Sequence, residues 1–209
     1  MQITIFGANG KVGSLIIKIA LERGYRVVAF AHKSAPRSKD PNLIVHQGDI
    51  YDALAVSSAI EGSNAVVSAL GSWHTSKKDI LSSGMERIIP AMKESGINRV
   101  VSLTGADTRA AGDEISLMHK FSYRGINLTN GKIIEDSEKH LQLLEASQLD
   151  WTVLRSPIMN ERGDINQFKL TDRRPLPWQT INRHSVALSM VNLIVDKNYS
   201  KKAPYIIRT

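Results

Sequence analysis

Short unbroken apolar runs alternate along the whole chain with stretches in which apolar residues recur at helical spacing. Residues 2–6 read Gln-Ile-Thr-Ile-Phe and predict a buried strand, after which Val12, Leu15, Ile16, Ile19 and Ala20 predict a helix over 11–23. The same reasoning puts strands at 26–31, 43–46, 65–69 and 99–103, with a short helix starting near Tyr51 and a longer one over 82–95. Strands this continuously apolar need cover on both faces, which a parallel sheet with helices on either side provides. The second half predicts a helix at 134–146, a sixth strand at 151–154 closed by Pro157, a helix at 184–195 and an edge strand at 205–208. Residues 105–131 are weakly periodic and read as irregular with one short helix, a flap. Residues 160–182 carry three arginines, Pro175, Pro177 and Trp178 and read as an excursion over a ligand.

The junction between the first strand and first helix carries chemistry. It reads Gly7-Ala8-Asn9-Gly10-Lys11-Val12-Gly13. The first N–H groups of a helix lack intrahelical partners and the helix dipole is positive there, so a pyrophosphate settles if no Cβ blocks its approach. Gly7 suits the tight turn, Gly10 the approach of backbone to phosphate, and Gly13 the close packing of helix on sheet. Three glycines alone can be an ordinary loop; here they follow a strand, open a helix and lead to a second strand, as a nucleotide-binding βαβ unit requires. The fold expected is therefore α/β, Rossmann-like and doubly wound, with a mainly parallel sheet of about six to seven strands in one domain over 1–209. At the end of the second strand a carboxylate would select NAD and a cation NADP. No Asp or Glu stands between Glu22 and Asp40, whereas His32, Lys33 and Arg37 do occur there, which favours NADP(H) over solvated loop charges.

Composition narrows the function classes. The chain has 209 residues, 42% hydrophobic and 22% charged, as expected of a globular protein. It has no cysteine, which excludes disulfides, thiol catalysis and thiolate metal sites. The six histidines show no metal-ligand spacing. A net charge of +7 raises nucleic acid as a partner, but residues 1–100 hold 12 basic and 8 acidic side chains and the rest 15 and 12, so the excess is spread and not gathered into a stripe. Apolar runs are too short to span a bilayer and no leader precedes the first strand, so a cytoplasmic protein without membrane or nucleic-acid partners is expected, monomeric or weakly dimeric.

Four further stretches, Gly-Asp-Ile at 48–50, Ala-Leu-Gly at 69–71, Val-Ser-Leu-Thr-Gly-Ala at 101–106 and Ser-Gln-Leu-Asp-Trp-Thr-Val-Leu-Arg-Ser-Pro at 147–157, join the glycine turn in a family pattern. With them nearly the whole chain resembles the atypical short-chain dehydrogenase/reductases, namely the NmrA-like proteins and the small flavin and biliverdin-IXβ reductases. The resemblance implies that Asp49 and Ile50 flank the adenine and that Ala69, Leu70 and Gly71 lie under the pyrophosphate and ribose. It also implies that Thr104 and the backbone of Pro157, Ile158 and Met159 lie beside the nicotinamide. Asp49 as a helix cap, and 69–71 as a plain strand exit, are the structural alternatives.

Most short-chain dehydrogenases use a Tyr-x-x-x-Lys pair, in which lysine lowers the tyrosine pKa for proton transfer. None of the five tyrosines has a lysine four residues on, although Tyr123 and Lys132 could meet in space. His119 and Tyr123, a helical turn apart in the expected flap, are further proton donors or plain surface residues, and Thr104 is a donor or a structural hydroxyl. Trp73 and His74 would wall the cleft, and Trp151 belongs in the core. The biliverdin and flavin reductases resembled use a serine and a histidine where this chain has Gly105 and Ile158, a departure that puts biliverdin reduction itself in doubt. The expectation is an NADPH-dependent reductase of a small flavin- or quinone-type acceptor; an NmrA-like redox sensor acting through a protein partner is the alternative.

Overall fold

A computed structural model describes residues 1–32, 39–72, 76–113 and 117–209, with backbone alone at 117–122 and 126–129. In chain order the elements are β1 (Gln2–Phe6), α1 (Lys11–Glu22), β2 (Arg26–Ala31), β3 (Leu43–Gln47), α2 (Ala53–Ile60), β4 (Ala65–Ser68), α3 (Ile80–Glu94) and β5 (Arg99–Gly105). They continue with α4 (Leu117–Ala146), β6 (Asp150–Ser156), β7 (Ile158–Asn160), β8 (Phe168–Thr171), β9 (Thr180–Asn182), α5 (Arg183–Leu193) and β10 (Tyr205–Arg208).

Eight strands form the main sheet in the order β3-β2-β1-β4-β5-β6-β10-β8, one or two more than expected. All neighbours pair in parallel except β10 with β8. The chain runs outward from β1 to β3, then restarts at β4 on the other side of β1, so the order reverses between β1 and β4. That reversal opens a crevice at the carboxyl ends of the strands, the general place for ligands in such sheets.

Alternation in the strands divides the core in two. Ile3, Ile5, Val27, Ala29, Val67, Val101 and Leu103 pack with α1 and α5, whereas Phe6, Phe30, Val66, Val100, Trp151 and Val153 pack with α2, α3 and α4. Trp151 is buried, as its sequence context suggests. A polar anchor ties the layers together. Buried Arg99 at the start of β5 donates to the carbonyls of Leu193 and Ile194 at the end of α5, to Asp150 at 3.0 Å and to Thr152 Oγ1 at 2.9 Å, so one guanidinium closes the open C-terminal carbonyls of a helix.

Three expectations need correction. Residues 117–131 are helical, because α4 extends the 134–146 helix toward the N-terminus through a break at Asn130, where φ is −134° and ψ 27°. Polar residues on both sides of this segment dilute the periodicity. β10 is not an edge strand: β8, formed within the 160–182 excursion, pairs antiparallel outside it and takes the edge. The excursion also supplies β9, which pairs with β7 in a separate two-stranded sheet, Ile158 opposite Thr180. Among the described residues, no helix is long and apolar enough to cross a membrane.

Candidate functional site

Strand β1 ends at Phe6, and Gly7 turns the chain with φ +78°, a value that L side chains rarely adopt. A Cβ on Gly7 would meet the Ala69 carbonyl oxygen at 2.4 Å. The turn closes with Gly10 N–H donating to Gly7 O at 2.9 Å, and the first helical bond runs from Ser14 N–H to Gly10 O at 2.9 Å. Gly10 caps α1 in extended backbone with no side-chain hydrogen bond, and the first turn has no acidic residue. The N–H groups opening α1 are therefore left for a ligand, and nothing negative competes for them. Asn9, Gly10 and Lys11 are exposed, whereas Ala8, Val12 and Gly13 are buried against the sheet. A diphosphate fits this cradle: backbone donors, a positive helix end and glycines where any Cβ would obstruct.

Sheet register brings the other segments to the same edge. Phe6 pairs with Ser68, Ser68 with Ser102, and Gly105 with Ser156, so 7–13, 69–71, 104–106 and 157–159 all leave the carboxyl ends of β1, β4, β5 and β6. Ala69 N–H extends the ladder past the strand end by donating to Phe6 O at 2.9 Å. Pro157 is buried, Met159 is partly buried against the α1–α5 core, and Ile158 projects outward, 69% exposed.

At the opposite end of the crevice, His32 Nδ1 lies 3.8 Å from Asp49 Oδ2, both side chains being open to solvent. Lys33 and Arg37 lie outside the described residues, as do Trp73, His74 and the side chain of His119. Asp49 does not cap α2; it accepts from Tyr51 N–H at 3.1 Å, while Asp52 takes the N–H groups of Leu54 and Ala55. Ile50 is buried. Tyr51 donates its hydroxyl to Asp79 at 2.9 Å under the Lys77 ammonium, 3.6 Å from the ring centre. Burial, then the Asp79 carboxylate, pushes this phenol up to about 12.

Two of the candidate proton donors, Thr104 and Tyr123, hydrogen-bond to internal partners. Thr104 is buried and shares a hydrogen bond with Thr108 at 2.9 Å. Tyr123 donates to Glu138 at 3.2 Å, and the Arg109 guanidinium stacks 3.3 Å from its ring centre. Burial and the Glu138 charge hold the Tyr123 phenol above its ordinary value despite Arg109, the reverse of what a catalytic tyrosine needs. Lys132 is exposed, and Tyr123 bonds Glu138 in its place.

Sequence reasoning missed the residues that hold this edge in shape. Buried Arg155 donates to Ala203 O at 2.6 Å, Thr108 O at 3.2 Å, the Tyr205 hydroxyl at 2.8 Å and the Asp113 carboxylate. Arg174, partly buried, bonds Asp107 at 2.5 Å. These bonds tie the 105–113 segment to β6, β10 and the turn after β8. A cavity of about 1020 Å³ lies beside them, lined by Asp113, Trp151, Arg155, Arg174 and Lys202 among others, and shares no residue with the glycine cradle.

Residues 7–197 match a family model described as NAD(P)H-binding. The chain belongs to that NAD(P)H-binding family. A 2-alkyl-3-oxoalkanoate reductase of Stenotrophomonas maltophilia is 29% identical over 106 residues, 48% of this chain and 32% of that protein. The isoflavone reductase homolog IRL of Zea mays is 25% identical over 105 residues, 46% of this chain and 32% of that protein, so the chain spans about a third of the length of these relatives. Among solved structures, a short-chain dehydrogenase/reductase from Veillonella parvula in complex with NADP superposes with a TM-score of 0.79 at 15% identity, covering 99% of this chain and 94% of that one. ChuY, an anaerobillin reductase from Escherichia coli O157:H7, superposes at 0.77 with 19% identity, covering 100% and 97%. The Rossmann-like fold and the NAD(P)H-binding character of this family member thus agree with the geometry of the glycine cradle.

Proposed function

We propose that this NAD(P)H-binding protein is an NADPH-dependent reductase of a small conjugated acceptor of the flavin or quinone type, bound over the nicotinamide end of the crevice. The cofactor, when bound, supplies the hydride. The chain's part is orientation: Gly7–Gly13 and Ala69–Gly71 hold the phosphates and ribose, and Thr104 with the Pro157–Met159 backbone borders the ring. The observation that carries this reading is that the Thr104 and Tyr123 hydroxyls both hydrogen-bond to internal partners, which suits an acceptor that needs little acid–base help. Ile158, which opens β7, and Trp178, just before β9, are 69% and 67% exposed and add apolar surface for a planar ring. Reductase names among the relatives support the reaction class. The preference for NADPH rests on His32, Lys33 and Arg37 in a stretch without carboxylates.

The test is NADPH oxidation across a panel of flavins and quinones, with NADPH and NADP⁺ binding followed by fluorescence. Turnover on at least one acceptor is expected. Tight binding with no turnover on any would overturn the reductase reading and favour a redox sensor with a protein partner. Lys33→Glu combined with Arg37→Ala is expected to erase the preference for NADPH over NADH; an unchanged preference would refute the 2′-phosphate assignment.

A further inference from the structure

Ser72 follows the Ala69–Gly71 turn directly, and its buried hydroxyl donates to Asp136 Oδ2 at 2.8 Å. Asp136 sits on α4 and is 3% exposed. Its carboxylate also accepts the N–H of Leu81 at 3.1 Å and of Ser82 at 2.8 Å, in the first turn of α3. Asp79, at the local N-cap position, makes no capping bond to the backbone; its oxygens go to Tyr51 and Ser83. One side chain from α4 thus does two jobs: it caps α3 from outside and ties the end of the 69–72 turn to that cap. Lys78 Nζ holds the Ser72 carbonyl at 3.4 Å, and Leu70 packs so closely on α3 that a Cβ at Gly84 would meet its Cδ1 at 2.7 Å. The other side of the turn presses on the glycine cradle, since a Cβ at Gly7 would fall 2.4 Å from Ala69 O and 2.9 Å from Leu70 N.

We propose that Asp136 is a positioning residue for the dinucleotide, setting through Ser72 and the α3 N-terminus the height of the 69–71 backbone beneath the pyrophosphate and ribose. This rests on the reading of Ala69–Gly71 as part of the cofactor site. A carboxylate that only capped α3 would affect stability and leave cofactor affinity alone; a positioning residue moves both. Ser72→Ala separates the two, because it cuts the turn from Asp136 while leaving the cap on Leu81 and Ser82 in place.

The experiment measures the Kd of NADPH by fluorescence titration and the Tm, for the parent, Ser72→Ala, Asp136→Asn and Gly71→Val. Ser72→Ala is expected to weaken NADPH about threefold to tenfold, the worth of one hydrogen bond. Asp136→Asn, which sets an amide NH₂ against one of the three donors, is expected to weaken it about tenfold or more and to lower Tm as well. Parental affinity in Ser72→Ala overturns the proposal even if Asp136→Asn fails to fold. Gly71→Val probes the underlying reading separately: an unchanged Kd there, beside a weakened one in Ser72→Ala, removes Gly71 from the cofactor site and leaves the effect of Asp136 standing.

Discussion

A Cβ on Gly13 would lie 2.1 Å from the Gly7 carbonyl oxygen and 2.8 Å from its carbonyl carbon. Backbone, not a flexible side chain, fills that space, so α1 must be displaced from the turn by any larger residue. Gly13→Ala is expected to cost about 1–3 kcal/mol, as overpacking does, and to weaken NADPH at least tenfold because the same N–H groups that face the phosphates move with the helix. Urea unfolding and a fluorescence titration check both numbers. Parental stability would mean that helix and turn do not touch as described.

Gly105 is the opposite case. It ends β5 in the exposed position where the flavin and biliverdin reductases that the sequence resembles have serine, and a Cβ there would meet nothing within 4 Å. Gly105→Ser is therefore expected to leave stability within about 0.5 kcal/mol of the parent. With a hydroxyl added at the proposed hydride end, turnover on a flavin acceptor should rise by up to about tenfold. Steady-state kinetics at saturating NADPH reads this, and a fall in turnover would count against the proposed acceptor position.

The alternation of strands and helices through β6 and the cradle at 7–13 were legible because both are local: periodicity over a dozen residues and glycines at fixed offsets. What escaped the sequence depends on partners far away in the chain. Asp136 caps a helix that begins more than fifty residues earlier, and Arg155 gathers groups from 108, 113, 203 and 205. The 117–131 helix was hidden for a different reason, since a segment with a break at Asn130 and little apolar periodicity gives no consistent face to read. β8 made β10 an interior strand, and no pattern within 205–208 records which neighbours it has.

Asp113 tests the network that holds the 105–113 segment. Its carboxylate pairs with an Arg155 side chain only 4% exposed and also accepts from the Tyr205 hydroxyl at 3.2 Å. Removing one partner of a buried pair leaves an uncompensated charge, at a cost of about 3–5 kcal/mol. Three acceptors remain for Arg155, namely Ala203 O, Thr108 O and the Tyr205 oxygen, so Asp113→Asn is expected to cost about 2 kcal/mol. Because the same bonds fix the backbone beyond Thr104, hydrogen exchange over 106–113 should quicken in the variant. A loss of stability without faster exchange would confine Asp113 to the sheet.

His140 gives the pH dependence. It is fully buried on α4, shares a hydrogen bond with Ser102 at 2.8 Å through Nε2, and leaves Nδ1 without a partner among the described residues. Burial pushes the imidazole down to about 4 against the opposing pull of the Asp136 charge. Between pH 6.5 and about 4 the unfolded chain therefore binds a proton that the folded one refuses, so stability rises with pH across this window. The contribution is complete above the unfolded value near 6.5, is lost as pH falls toward 4 and changes no further below that. A shift of this size amounts to about 3 kcal/mol. Asp79 and Asp150, both held below the ordinary 3.8, lose their contributions only at lower pH and do not mask the effect. Urea unfolding at pH 7, 5.5 and 4.5 should thus show a steep decline in the parent and a much flatter one in His140→Gln. Equal slopes for the two proteins would show that some other group titrates in this range.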